Sequence, residues 1–191
     1  MDSSNLFPGV QPLLFDLVSL EQMRRLREDE LDVGLLRPPV GFPDLECRFV
    51  EESPQILAMP ADHRLARQPQ LTWADFHGEA LVLIHPTMRH GYYDAFLAAC
   101  AQAGATPRAA QCANDVQTKM WLISAGFGIA PTTATLAEIK RPGLVYRELP
   151  GPVPPVQTVL AWRRSDRSPI VRAFRESSAE LKAGSANSPG S

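Results

Sequence analysis

The chain has 191 residues, 45% hydrophobic and 21% charged, which is enough apolar content for one globular domain or two small lobes with real cores and too much for a disordered chain. A formal charge of −2 and an isoelectric point near 6.1 argue against a surface built to neutralise many phosphates. Cys47, Cys100 and Cys112 are odd in number and lack CxxC or Cys/His spacing, which argues against a structural zinc site or a disulfide framework and for reduced thiols in a cytoplasmic setting.

The opening MDSSNLFPGVQPLL lacks a basic region followed by a long apolar core, so no secretory signal is expected. No window approaches the run of roughly 20 apolar residues needed to span a bilayer. Val10–Val18 (VQPLLFDLV) has the composition of a strand, with Pro12 marking an edge or entry position. Ser19 and Gln22 stand at capping-box spacing, which predicts a helix from Leu20 with the Ser19 hydroxyl at its N-terminus and with Leu20, Met23, Leu26 and Leu31 on its apolar face. The stretch ELDVGLLRPP (30–39) then reads as a short buried strand, Asp32–Arg37, stopped by Pro38 and Pro39. Its arginine falls at the C-terminal strand edge, where open α/β sheets bind ligands, and a guanidinium there offers five donors suited to a carboxylate or phosphate. Arg37 is therefore the first ligand-contact candidate; the bland alternatives are a solvated charge or a pair with Asp32 or Glu46.

Further along, Leu45–Val50 is only tinged with apolar residues, whereas Gln55–Met59 is a buried strand closed by Pro60. Residues 71–86 combine a turn that Thr72 could cap with a strand over Ala80–Ile84. YYDAFLAACAQAG places Phe96, Leu97 and Cys100 on one helical face with Gly104 just past its end, and Asn114 or Asp115 caps a second helix carrying Val116, Met120 and Ile123. FGIAP reads as a short strand, TATLAEIK as a short helix, LVYREL and VQTVLAWRR as strands, and Ser168–Pro169 opens a last helix to about Leu181. The alternation predicts parallel sheets covered by helices. Changes of pattern near Ser53–Ile56 and Pro155–Thr158 suit two lobes joined by two chain crossings.

Taken in order, FPGVQPLLFDLVSLEQMRRLREDELDVGLLRPP (7–39), PADHRLAR (60–67), LTWADFHGEALVLIHP (71–86), VQTKMWLISAGFGIAPTTATLA (116–137), LVYRELPGP (144–152) and VLAWRRSDRSPIVRAFRE (159–176) resemble the effector-binding domain of LysR-type transcriptional regulators, a relative of type 2 periplasmic binding proteins. The resemblance covers about residues 7–182 and is nearest to regulators that respond to aromatic-catabolism intermediates. It implies an α/β fold of two Rossmann-like lobes around a ligand cleft, lobe I about 7–54 plus 157–182 and lobe II about 55–156, with tails at 1–6 and 183–191. It also implies a small anionic metabolite as effector, a homo-oligomer such as a dimer, no cofactor and no membrane partner.

At matching positions the resemblance assigns effector contacts to Ser19, Arg37, His90, Gly91 and Tyr92, with His85 and Pro86 as supports. For Ser19 there is an independent case, since a helix N-terminus favours anions, although a serine there is most often only a cap. The family's winged helix-turn-helix is not in these residues, so DNA contact is expected only through that missing part. Its first strand and helix are also absent, and that strand would lie between Val10–Val18 and Asp32–Leu36, leaving an unpaired gap.

Other residues have plainer readings. His85 and His90 lack the i, i+4 geometry of a zinc pair. Met120 and Trp121 read as core or subunit contact, Cys100 as an inert buried thiol, and Arg163, Arg164 and Arg167 as a solvated strand end. No GxSxG, HExxH or glycine-rich phosphate loop points to an enzyme. The alternatives kept open are a solute-binding protein of the same architecture and a truncated, non-functional regulator fragment.

Overall fold

The computed structural model describes residues 9–84, 92–151 and 153–185. Helix α1 (Ser19–Arg27) buries Ser19, Met23 and Leu26, a stripe rotated from the expected one, so that Leu20 is 57% exposed. The helix lies against strand β1 (Val33–Leu36), and the approach is closest at Gly34, where a Cβ would sit 2.7 Å from Gln22 Oε1. Strand β2 (Leu45–Ser53) occupies the weakly apolar stretch. Its exposed and half-buried charges hid its strand character, because pairing and not alternation holds it in place.

Both β1 and β2 pair antiparallel with β8 (Val156–Arg163), in the order β1-β8-β2. One face of this sheet packs Leu36, Leu45, Val159 and Ala161 against Met23 and Leu26. The other packs Leu160 and Trp162 against Val171 of helix α5 (Pro169–Ser185). Arg163 is not a solvated strand end: its side chain is 14% exposed, donates to Leu26 O at 2.8 Å and pairs with Asp29 and Asp166 at 2.8 and 2.9 Å. It satisfies carbonyls at the C-terminal end of α1, where a cation is favoured.

The expected strand over Val10–Val18 does not form. Residues 11–18 carry no regular structure, and Leu13 and Leu14 are 80% and 92% exposed. An apolar ribbon becomes a strand only beside a partner with free backbone groups, and among the described residues no ladder reaches it. Among the described residues β1 is paired on one edge only, through β8.

The second group of strands is centred on β3 (Gln55–Pro60), which pairs antiparallel with β6 (Ala130–Thr133) and β7 (Leu144–Glu148). Strand β4 (Ala80–Ile84) runs parallel to β5 (Arg108–Ala113) and meets Ile129 through a parallel bridge at Leu81. β5, largely exposed alanine and polar residues, had no apolar signal to announce it. Among the described residues only these β4 contacts are parallel. The expectation of parallel sheets fails at β3 and β8, because the strands that carry the chain between the two groups run against their neighbours.

Helices α2 (Tyr92–Gln102), α3 (Val116–Ser124) and α4 (Ala134–Ala137) complete this part. Its core gathers Leu57, Phe76, Leu81, Tyr93, Phe96 and Ile129, with the Trp73, Phe76 and Phe96 ring centroids 5.3–5.8 Å apart. Cys100 is buried there and burial pushes its thiol up to about 11, whereas Cys47 and Cys112 are exposed and all three are free. Trp121 is 68% exposed, which removes it from the core. Among the described residues no buried cluster includes residues from both groups of strands. Two chain segments join them, one at Ser53–Gln55 and one at Pro154–Val156, tied together where Gln55 Nε2 donates to Pro154 O at 2.7 Å. Among the described residues no helix is long and apolar enough to cross a membrane.

Candidate functional site

Arg37 follows directly on β1, and two side-chain contacts fix it. Its guanidinium Nη1 donates to Thr158 Oγ1 at 3.2 Å and to Gln157 O at 3.5 Å, both at the start of β8 and close to the Pro154–Val156 crossing. Neither Asp32 nor Glu46 takes this role. Asp32 lies 3.8 Å from Arg163, and Glu46 accepts from Trp162 Nε1 at 3.2 Å.

Ser19 is not a helix cap. Val18 is the N-cap, and Gln22 replaces a capping box by donating its backbone N–H to Val18 O at 2.9 Å and its side-chain amide to Leu17 O at 2.7 Å. The Ser19 hydroxyl, 7% exposed, instead accepts the Arg37 backbone N–H at 3.0 Å. This bond pins the end of β1 to the first turn of α1. The backbone at a strand terminus and the first residue of a helix thus meet at one edge, while the guanidinium of the same arginine is turned to the start of β8; helix N-termini and guanidinium groups each attract acidic groups. The two residues singled out from the first part of the sequence are in direct contact.

His90 and Gly91 lie outside the described residues, as do His85 and Pro86. Tyr92 begins α2, but its side chain is also outside what is described. The residue after it, Tyr93, is fully buried.

Lys119, which sequence reasoning passed over, is the other notable group. It sits in the first turns of α3, whose N-terminus Asp115 caps by accepting from Thr118 N at 2.8 Å and Thr118 Oγ1 at 2.7 Å; those bonds hold the Asp115 carboxyl below its ordinary range. Lys119 is 0% exposed, its Nζ donates to Pro131 O at 3.4 Å, and it stands 5.7 Å from the centroid of the Tyr93 ring. Among the described residues no carboxylate pairs with it, and burial pushes its ammonium down to about 8. Nearby in the fold, Gln55 Oε1 and Thr132 Oγ1 are buried without a hydrogen-bond partner among the described residues. The sequence did carry a signal for Lys119: it precedes Ile123 by one helical turn, on the buried face of VQTKMWLIS. No group of three His, Cys, Asp or Glu among the described residues could hold a metal ion.

Residues 3–182 match the sequence profile described as the LysR substrate binding domain. The chain is 29% identical over 181 residues to the Hca operon transcriptional activator HcaR of Escherichia coli (strain K12), an alignment covering 89% of this chain and 61% of that protein. The chain therefore spans about three-fifths of that relative's length. Among solved structures, the effector binding domain of a BenM variant superposes with a TM-score of 0.80 at 20% identity, covering 98% of this chain and 89% of that one. The BenM effector binding domain with its effector benzoate gives a TM-score of 0.73 at 18% identity, covering 98% and 85%. These are the two-lobed, type 2 periplasmic-binding-like domains that the resemblance implied, and the relatives are transcriptional regulators rather than enzymes.

Proposed function

Because the chain belongs to the LysR substrate binding domain family, we propose that it is the effector-sensing part of a cytoplasmic regulator and takes a small anionic metabolite, of the aromatic-acid kind, between two lobes. The proposed lobes are about residues 7–54 with 157–182 and about 55–156. The observation that carries this reading is the junction of Arg37 and Ser19, where the Arg37 backbone N–H is bonded to the first residue of α1 and its guanidinium is anchored at the start of β8. A carboxylate suits both groups, and benzoate, the effector bound by the similar BenM domain, is a carboxylate. His90, Gly91 and Tyr92 are proposed to meet the same ligand from the second lobe.

Regulation requires that the ligand prefer one arrangement of the lobes or subunits over another. Association into a homo-oligomer, and contact with DNA through a helix-turn-helix not among these residues, belong to the same proposal. The test is a thermal-shift titration with benzoate and related acids. Wild type gains stability as ligand saturates, by about 2.7 kcal/mol at a hundredfold excess over Kd, and Arg37→Ala abolishes the gain. An undiminished response in Arg37→Ala removes that residue from the site.

A further inference from the structure

We propose that Lys119 forms a second anion subsite in the lobe containing β3–β7, so that the preferred ligand carries two acidic groups; this rests on the effector-binding reading above. Strand polarity places Lys119 at a ligand-binding edge. β4 and β5 run parallel, and β6 continues from Ile129, which bridges parallel to Leu81, so the carboxyl ends of all three strands share one sheet edge. α2 begins after β4, α3 begins after β5, and β6 ends at Thr133. Lys119 touches each of these places: it lies in the early turns of α3, faces the Tyr93 ring at the start of α2, and donates to Pro131 O near the end of β6. Carboxyl edges are where sheets of this kind take ligands.

The second step is the cost of the charge. An ammonium has three donors, and here one makes a long bond to a carbonyl while no carboxylate is paired with it among the described residues. A buried cation left in that state is unfavourable, whereas one met by an anion is strongly held. Methionine would fill the same volume without that penalty. Two further polar atoms wait at this edge, since Gln55 Oε1 and Thr132 Oγ1 are buried and unpartnered among the described residues. Thr132 adjoins the Pro131 carbonyl, and Gln55 pairs in register with Thr133.

The third step is position relative to Arg37. Gln55 is tied to Pro154 O, and Gln157 and Thr158, which hold the Arg37 guanidinium, follow shortly after on β8. The partners of both cations therefore adjoin the same pair of crossings: Gln157 and Thr158 follow one on β8, and Pro131 pairs in register with Leu57, just past the other on β3. A ligand with a single acidic group can neutralise one of them. A diacid can answer both.

The experiment compares benzoate with phthalate, isophthalate and terephthalate by calorimetric titration of wild type, Lys119→Met and Lys119→Gln. The expected result is that at least one diacid binds wild type about tenfold more tightly than benzoate, and that both variants lose this margin while keeping wild-type benzoate affinity. An unchanged diacid margin in the variants overturns the subsite, as does benzoate binding with no diacid margin in wild type, and both results leave the Arg37 reading standing. Binding of no acid at all overturns both. The two variants guard against a folding defect, because loss of benzoate binding in only one of them identifies a damaged protein and leaves the other to decide.

Discussion

A hydroxyl that ordinarily caps a helix here holds the end of a strand. Ser19 and Arg37 were legible in the sequence as neighbours of one sheet edge, because a helix start and a strand stop are both local signals written by spacing and by proline. What was not legible is the bond between them, since the Ser19 acceptor is claimed by Arg37 N and not by the helix it begins. Lys119 was missed for the opposite reason: lysines are almost never fully buried, so the residue type argued for solvent while its turn spacing with Ile123 argued for the core. Its ammonium gives a pH test. The folded value of about 8 lies below the ordinary 10.5. Between those values the unfolded chain holds a proton that the folded chain has released, so stability rises with pH across that window, and the full cost, about 3 kcal/mol, is present below it. Lys119→Met should therefore be more stable than wild type at pH 7, with a margin that shrinks as pH climbs from 8 towards 10.5. Denaturant melts of both proteins across this range measure it, and the Cys100 thiol, which titrates alike in both, drops out of the difference. A margin independent of pH would mean that folding leaves the lysine at its ordinary value and that burial does not push it down.

Elements with a strong local pattern were foreseen closely: Ala80–Ile84 is β4, Gln55–Met59 is β3 but for its closing proline, and Asp115 does cap α3. Those that depend on a partner were not. β2 and β5 are strands because a neighbour pairs with them, although their side chains are mostly polar or small, while Val10–Val18, apolar enough for a strand, has no pairing neighbour among the described residues and forms none. Ladder pairing is a property of two segments, and one segment's composition reports only half of it. The tightest join between elements is at Gly128, with φ +151° and a Cβ position 2.3 Å from Ala80 O. This lets Ile129 N reach Ala80 O at 2.8 Å and couples β4 to β6. Gly128→Ala meets both the backbone clash and the unfavourable φ, and should cost about 2–4 kcal/mol. Thermal unfolding checks this, and a melting temperature within a degree or so of wild type would show that the join is not rigid.

At the scale of the whole molecule, the pattern breaks near Ser53–Ile56 and Pro155–Thr158 suit two lobes joined by two chain crossings, and that division remains part of the proposal above. The first group of strands carries a conspicuous bare flank. Among the described residues β1 pairs only with β8, Leu35 on it is 58% exposed, and Leu13, Leu14 and Phe15 are exposed in the segment before α1. A one-sided strand beside loose apolar side chains is a template for pairing with another chain. The isolated chain should self-associate in a concentration-dependent way, and Leu35→Lys, which places a charge on that edge, should shift it towards monomer. Sedimentation velocity over a range of loading concentrations reads this directly; identical profiles for the two proteins would place association elsewhere.

The amide bridge from Gln55 to Pro154 has a mechanical corollary. Two cords stitched side by side behave as a door hinge and not as a ball joint, so swinging about their common line is soft while twisting and sliding are stiff. On the proposed reading, a metabolite seated near that line is read out as a single angle. One coordinate, pushed one way by occupancy and the other by release, is what a downstream surface needs in order to register presence or absence.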